Sequence, residues 1–575
     1  MPPRIHRLQV KNLRSVGAEK IVIDFPEQGT LTLLGENNAG KSNITRALDI
    51  LFGEMWPGSR QLDEHDFHGR DSDGLDVQIA AQVSGVRCPY CSGNVKWLKW
   101  KHDLGAPGPN GDPVTYSFVC GSDYCDRTFP KREMRTALSA AVLDADRRLD
   151  YQLSYASKFT MLSKLMRRFH ERLLSDAARK EQLANLFAQL LKEFGGVPEF
   201  AAFQRILADT AADFGQSLPY RLDIDFSAYD PSNFFRSLRV QPKLTDEIRS
   251  FDELGTGQSQ ILALAFAYVY AVAYGQSDGT ILVIDEPEAN LHPLAQRWLA
   301  TRLGDLATTP GLQVVITTHS PYFVDLSRPE NIVLVSKGAD EATRAVQRTR
   351  DGLRDYCIQR GADSERTQAD TLGAFYSASA TTEIVSGLFA RRCVLVEGAT
   401  ESLALPELLK AGGMDVLKEG IAIISVEGIG NIAKWHRLYT ALGIQCYCIF
   451  DTDSDKAGKD AEDLTRKRID IMRALCRDPD RGAAQKQSTA PIFVEHDYAT
   501  MSPNFEGAAK RLFGESWTTL HDDAVASVGE SKPLRARYAA QRLPAYAYRN
   551  GASPVLDSLV EAIRGTGASE TTSSS

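Results

Sequence analysis

"LTLLGENNAGKSNITRAL", residues 31–48, decides the architecture of the first half of this chain. An apolar run ends at Gly35, four residues separate it from Gly40, and Lys41, Ser42 and a helical pattern follow. Strand, glycine-rich loop and helix in that order make a phosphate-cradling loop. Backbone N–H groups at a helix N-terminus favour anionic oxygen, so Gly35, Asn37, Asn38 and Gly40 are expected to wrap the phosphates of ATP. Lys41 would reach the terminal phosphates and Ser42 would hold Mg²⁺.

Two further strands fit the same site. "ILVIDEPEANLHP" is an apolar run delivering Asp285 and Glu286 at its tip. Asp285 is expected to act through the Mg²⁺ shell and Glu286 to polarise the attacking water. "VVITTHSP" is another apolar run, and His319 at its end is a candidate γ-phosphate sensor. Between loop and acids lies "DELGTGQSQILALAFAYVYA", two glycines and Gln258 opening an apolar helix. This resembles the signature motif of ABC-type ATPases, in which one subunit's signature loop closes over ATP held by the other. Gly257 and Gln258 match that motif, whereas Gly255 and Thr256 stand where the family usually has Ser and Gly. The opening "LQVKNLRSV" also looks like the first strand of heads related to the chromosome-maintenance and recombination ATPases, and no long heptad arms interrupt the chain.

A chain of 575 residues needs two or three cores. Its apolar and charged fractions, 43% and 24%, are those of globular protein, and a net charge of −8 excludes a strongly basic composition. The start lacks the apolar run of a signal peptide, and no stretch of about 18 apolar residues suggests a membrane span. A cytoplasmic protein is expected.

Nine cysteines are too few for a disulfide scaffold in this length. Cys88 and Cys91 ("CPYC") and Cys120 and Cys125 ("CGSDYC") form two pairs joined by 28 residues that read as a hairpin. Thiolates from two tight turns can surround Zn²⁺ tetrahedrally, which predicts a closed structural zinc ribbon rather than a catalytic site. Cys357, Cys393, Cys446, Cys448 and Cys476 sit among apolar neighbours and are expected in cores.

Residues 132–215 show helical periodicity, as in "EQLANLFAQLLKEF". Residues 131–180 carry twelve Lys/Arg against six Asp/Glu, which reads as a solvated helical face ahead of a DNA-facing one. Such an insertion also suits self-association of two heads. The polar stretch "QRTRDGLRDYCIQRGADSERTQAD" reads as an irregular boundary.

After it a strand–glycine–helix rhythm resumes. "RRCVLVEGATESLALPELL" gives Glu397 at a strand tip and Glu401 on the next helix; "QCYCIFDTDSDKAGK" gives Asp451, Asp453 and Asp455. Carboxylates gathered at the C-terminal edge of a parallel sheet can hold hard cations on a phosphodiester. A glutamate at one tip and Asp-x-Asp at the next resemble the TOPRIM fold of topoisomerases, primases and some nucleases.

An ABC-type head followed by a TOPRIM domain is similar to the OLD (overcoming lysogenization defect) family of nucleases, which includes the nuclease subunit of Gabija anti-phage systems. The resemblance rests on "GENNAGKS", "LGTGQ", "ILVIDEPEANLHP", "TTHS", "VEGATE" and "DTDSD". It implies metal-dependent DNA cleavage with Mg²⁺ or Mn²⁺ held by Glu397, Glu401, Asp451 and Asp453, Glu397 being central to catalysis. Through "SPNFEGAAK" it implies Glu506 as a later metal ligand. Through "SKPLRARYAA" it implies Lys532 as a stabiliser of the charged transition state. A homodimer or higher homo-oligomer through the heads, DNA as substrate and a helicase or other defence protein as partner are the implied associations. The cysteine ribbon is not typical of that family.

The expected architecture is α/β. An ABC-type ATPase occupies 1–345, with a zinc ribbon at 86–130 and a helical insertion suited to dimerisation at 132–215. A linker spans 346–385, the TOPRIM nuclease domain 386–565 and a disordered tail 566–575. Two other activities fit parts of the pattern: a primase-like TOPRIM polymerase, and a non-catalytic ATPase clamp on DNA. The cysteines lie within the ATPase half rather than ahead of the TOPRIM domain, and the acids are intact, which argues against each in turn.

Overall fold

The computed structural model describes residues 2–143 apart from 54, 72–74 and 106–111, short pieces between 162 and 269 (chiefly 176–198), and 279–565 apart from 486–488 and 549–551. Gly255 and Thr256 of the signature stretch and the 566–575 tail lie outside the described residues.

The first sheet is antiparallel: β1 (Arg4–Lys11), β2 (Ile21–Asp24), β4 (Val77–Ser84), β5 (Val95–His102) and β6 (Val114–Cys120), in the order β2-β1-β4-β5-β6. β4 alternates buried and half-buried residues along its whole length, the period-two pattern of a sheet with one face on a core. The second sheet runs β13 (Thr343–Gln347), β12 (Ile332–Lys337), β3 (Leu31–Leu34), β11 (Leu312–Thr317), β10 (Gly279–Asp285) and β7 (Leu138–Leu143). It is parallel except for edge strand β13. β11 is buried throughout and β10 up to its last residue, as strands covered on both faces must be. The helix Lys41–Phe52 lies between the sheets, placing Ile44, Leu48 and Leu51 in one cluster with Leu8, Ile79, Trp100, Leu33 and Val283.

Two expectations fail here. Leu138–Leu143, read as helix, is β7, paired in parallel with β10. "LSAAVL" is a short apolar run that periodicity alone cannot assign, and pairing with a buried strand decides it. The helix Ala177–Gly195 does form as its periodicity requires. The stretch read as an irregular linker is mostly helical, with Arg350–Gln359, Ala369–Ser379 and Thr382–Ser386 capped by Thr349 and Thr381 at the first and last. Its Leu353, Cys357, Tyr376 and Ile384 are buried.

The third sheet is β15 (Ile421–Ser425), β14 (Arg392–Val396), β16 (Gln445–Asp451), β18 (Tyr498–Met501) and β17 (Ile492–Val494), parallel except for edge strand β17. Leu34, Ile332 and Leu334 of the second sheet share one buried cluster with Cys357, Tyr376, Cys393 and Trp435. The two halves are therefore packed through a common apolar core. A separate pair, β8 (Lys243–Leu244) and β9 (Glu247–Ile248), completes the described strands. No described helix is long and apolar enough to cross a membrane. Of the scattered cysteines, Cys357, Cys393, Cys446 and Cys448 are buried as expected, whereas Cys476 is exposed, just past the end of the helix Gly458–Ala474.

Candidate functional site

Three neighbouring parallel strands, β3, β11 and β10, end on one edge and build the phosphate site. The loop after β3 needs its glycines. Gly35 has φ 145°, and a Cβ there would lie 2.0 Å from the Val335 carbonyl oxygen; at Gly40, with φ 108°, it would lie 2.2 Å from Thr343 Oγ1. Lys41 is buried, and its Nζ donates to the carbonyls of Gly35 (2.8 Å) and Glu36 (2.9 Å) and lies 3.0 Å from His319 Nε2. Burial pushes the Lys41 ammonium below its ordinary value while Glu286, Glu288 and Asp285 pull the other way. Asn37, Asn38 and Ser42 are exposed, Asn38 with φ 63°.

At the end of β10, Asp285 accepts from Thr317 Oγ1 at 3.1 Å. Glu286 follows with φ 47°, its N–H donating to the Thr317 carbonyl at 3.0 Å and its Oε1 3.9 Å from His319 Nε2. Glu288 accepts from the His319 N–H at 2.6 Å, a tie within "DEPEAN" that sequence reasoning passed over. Burial and the Lys41 charge hold His319 below the usual imidazole range, so its Nε2 can accept. Gly257 is described, with a Cβ there only 2.9 Å from the Asn290 carbonyl oxygen; Gln258 beside it is exposed. Lys41, Asp285, Glu286 and His319 are thus gathered, with Gly257 near the loop that follows the acids.

The acid site forms in the same way on the third sheet. β14, β16 and β18 are adjacent, and their C-terminal ends share an edge. Glu397 follows β14, and its Oε1 accepts the Asp451 N–H at 2.7 Å. Glu401 is buried on the helix Ala399–Ala411 and accepts the Gly398 N–H at 3.0 Å. Asp453, with φ 47°, donates its N–H to the Pro503 carbonyl at 2.8 Å, and Asp455 is exposed. Glu506 lies in the first turn of the helix Phe505–Phe513, 3.4 Å from Lys532 Nζ. Burial pushes Glu397 up to about 8, against the Asp451 N–H and with the charges of Asp453 and Glu401. Asp451 is raised well above the carboxylate range by burial and then by Glu397, Glu401, Asp453 and Glu506. Glu401 and Asp453 are raised by burial as well. Carboxylates raised this way by burial and by one another are a donor set whose repulsion a hard cation would relieve.

Among the described residues, however, only the four cysteines form a set of three or more metal-ligating groups within 4.8 Å of one another. The acids share a field without forming so tight a cluster. Cys88 Sγ lies 3.8 Å from Cys125 Sγ, and Cys91 Sγ 3.5 Å from Cys120 Sγ. A tetrahedron with Zn–S bonds of about 2.3 Å has S···S edges of about 3.8 Å, so these thiols fit a closed zinc site. A disulfide would need about 2.05 Å. The hairpin expected between the pairs is present as β5 and β6. Burial raises the Cys88 thiol, but the Tyr90 and Cys91 N–H groups and neighbouring thiols bring it down to about 7, which favours the ligating thiolate.

Fold and sites together define an ATPase head joined to a TOPRIM domain. The family models agree: residues 388–453 match the TOPRIM domain of overcoming-lysogenization-defect-like proteins, 132–325 match an AAA domain (putative AbiEii toxin) and 4–84 match an AAA ATPase domain. The OLD nuclease of Thermus scotoductus is 28% identical over 81% of this chain and 85% of the relative. The Old nuclease of Escherichia phage P2 is 25% identical over 79% and 78%. An Smc head solved with the C-winged helix domain of ScpA aligns at 17% identity over 60% of this chain and 98% of that one, with a TM-score of 0.36. The chain is thus similar to OLD nucleases over about four-fifths of its length.

Proposed function

We propose that this chain is an ATP-binding and ATP-hydrolysing, metal-dependent DNA endonuclease that nicks or cuts duplexes, acting in anti-phage defence or DNA processing. The observation that carries this reading is the Glu397–Asp451 contact at the edge of a TOPRIM sheet, in a chain whose other half holds a complete phosphate loop with acids. Glu397, Glu401, Asp451, Asp453 and Glu506 would hold Mg²⁺ or Mn²⁺, which when bound would supply Lewis-acid polarisation of a phosphodiester and of the attacking water. Lys532, more than half exposed beside Glu506, would offset the charge that develops on the phosphate.

In the head, Gly35, Asn37, Asn38, Gly40 and Lys41 wrap ATP, while Ser42 and Asp285 serve its Mg²⁺. Glu286 orients water and His319 reads the γ-phosphate. Gly257 and Gln258 of one head close over the nucleotide of a second, which makes the working unit a homodimer or larger. Cys88, Cys91, Cys120 and Cys125 bind a structural Zn²⁺, and a helicase or other defence protein is a fitting partner.

The test uses supercoiled plasmid with Mn²⁺ or Mg²⁺, with and without ATP. Wild type should nick or linearise it. Asp451→Ala and Glu397→Ala should lose cleavage by roughly 10²-fold or more while hydrolysing ATP. New oligonucleotides made from template and NTPs would assign a primase instead, and binding without cleavage would assign a clamp.

A further inference from the structure

Behind the acids lies a positive charge to which no function has so far been assigned. Arg468, on the helix Gly458–Ala474, is 0% exposed. Its Nη1 donates to the Thr452 carbonyl at 2.8 Å, Nε to the Gly482 carbonyl at 3.2 Å and Nη2 to Thr465 Oγ1 at 3.0 Å. All three acceptors are neutral. A guanidinium withdrawn from water and given only neutral oxygens is costly, so its presence needs a compensating field. Burial pushes the guanidinium below its ordinary value, and the nearby Asp453 and Glu397 act against that.

The same side chain sets geometry. Thr452 is fully buried between Asp451 and Asp453, so gripping its carbonyl grips the turn that carries both acids. The turn is held from the other side too: Thr452 N–H donates to the Met501 carbonyl and Asp453 N–H to the Pro503 carbonyl, both at 2.8 Å. Asp453 occupies the left-handed region, which a non-glycine residue keeps only when its surroundings over-determine it. Gly482 has no room for a Cβ, which would lie 2.7 Å from Ile469 N, and that close approach brings its carbonyl to Arg468.

We propose that Arg468 is a positioning residue for the cation-binding acids: by gripping the Thr452 carbonyl it fixes the Asp451–Thr452–Asp453 turn. The proposal rests on reading Glu397, Asp451 and Asp453 as cation ligands.

The test compares wild type, Arg468→Met and Arg468→Lys as full chains, melted in EDTA and in saturating Mn²⁺. A cation held by Asp451 and Asp453 also fixes the turn between them, so the melting deficit of Arg468→Met should be large in EDTA and shrink in Mn²⁺. Arg468→Lys should stay close to wild type in both. A residue that merely packs would show one deficit in both buffers, and that result overturns the proposal. If Arg468→Met does not fold, Arg468→Gln, which keeps a donor without charge, decides on the same comparison. Plasmid cleavage at saturating Mn²⁺ should rank wild type, then Lys, then Met, with ATP hydrolysis unchanged; equal rates for Met and wild type also overturn it. Asp451→Ala runs in parallel: cleavage by that variant rejects the cation-ligand reading itself, a separate outcome from wild-type behaviour of Arg468→Met.

Discussion

Arg391 and Glu36 join the phosphate loop to the TOPRIM half: Arg391 Nε donates to Glu36 Oε1 across 2.8 Å, although the residues are 355 positions apart. Arg391 immediately precedes β14, whose other end leads into Glu397. The carbonyl of Glu36 holds Lys41 Nζ, for which an incoming phosphate would compete. The pair thus ties the phosphate loop to the residue before the first strand of the TOPRIM sheet, and the shared apolar core around Leu34 packs the two halves together.

This pair is largely exposed, 69% for Arg391 and 43% for Glu36, so it contributes little to stability and its loss should not unfold the chain. Its expected effect is on coupling. Arg391→Glu should leave nucleotide-free cleavage unchanged and weaken the influence of ATP on the cleavage rate by about fivefold or more. Glu36→Arg added to Arg391→Glu should restore that influence, since the pair is rebuilt with its charges exchanged. An unaltered ATP response in the single variant would sink the idea.

Glu286→Gln should bind ATP and turn it over roughly 10²-fold or more slowly, because the amide cannot take the proton from water. With hydrolysis blocked, the heads should accumulate as a dimer on size exclusion in ATP. Phosphate release at the wild-type rate would show that Glu286 is not the base, leaving Glu288, which accepts the His319 N–H, as the next candidate.

How much of this was legible beforehand depends on how local the chemistry is. The phosphate loop, Asp285-Glu286 and Glu397 with Asp451 were readable because each lies within a few residues of its own strand, and a parallel sheet brings strand tips together. β7 was not readable, since only its pairing with β10 separates "LSAAVL" from helix. The helix Arg350–Gln359 was missed because charged and polar residues surround its few apolar ones; Leu353 and Cys357 anchor it through tertiary burial, not through composition. Arg468 in sequence looks like any arginine on a charged helix. Only the packing against Thr452 and Gly482 reveals its role.

Protonation should be linked to metal. In the unfolded chain Glu397 and Asp451 ionise near about pH 4, whereas in the metal-free fold burial pushes Glu397 up to about 8 and Asp451 moves in the same direction. The folded state thus binds more protons across that window, so metal-free stability should fall as pH rises from about 4 to about 8. A cation needs ionised ligands, so binding near pH 7 should release protons, and fewer should leave at pH 9. Calorimetric Mn²⁺ titrations in buffers of different ionisation heat measure this directly. Heats independent of buffer at pH 7 would mean the acids are already ionised.

The cysteine cluster gives the sharpest separation of the two halves. Soft thiolates select Zn²⁺ and carboxylates at a strand edge select hard cations, so the sites should be independently removable. Purified protein should carry about one zinc per chain, released with thiol-reactive mercurials and read with a chromogenic chelator. Removing it should loosen 86–130, because Cys88 and Cys91 on one turn and Cys120 and Cys125 on the other are tied to each other by those sulfur contacts. β5 and β6 between them should exchange amide protons faster, since Trp100 and Phe118 pack into the head core from that hairpin. Plasmid cleavage should survive once Mg²⁺ or Mn²⁺ is restored, because Glu397 and Asp451 sit on a different sheet. Absence of zinc with four freely titrating thiols would reject the ribbon. Zinc that disappears on Asp451→Ala would place the metal in the acid site instead.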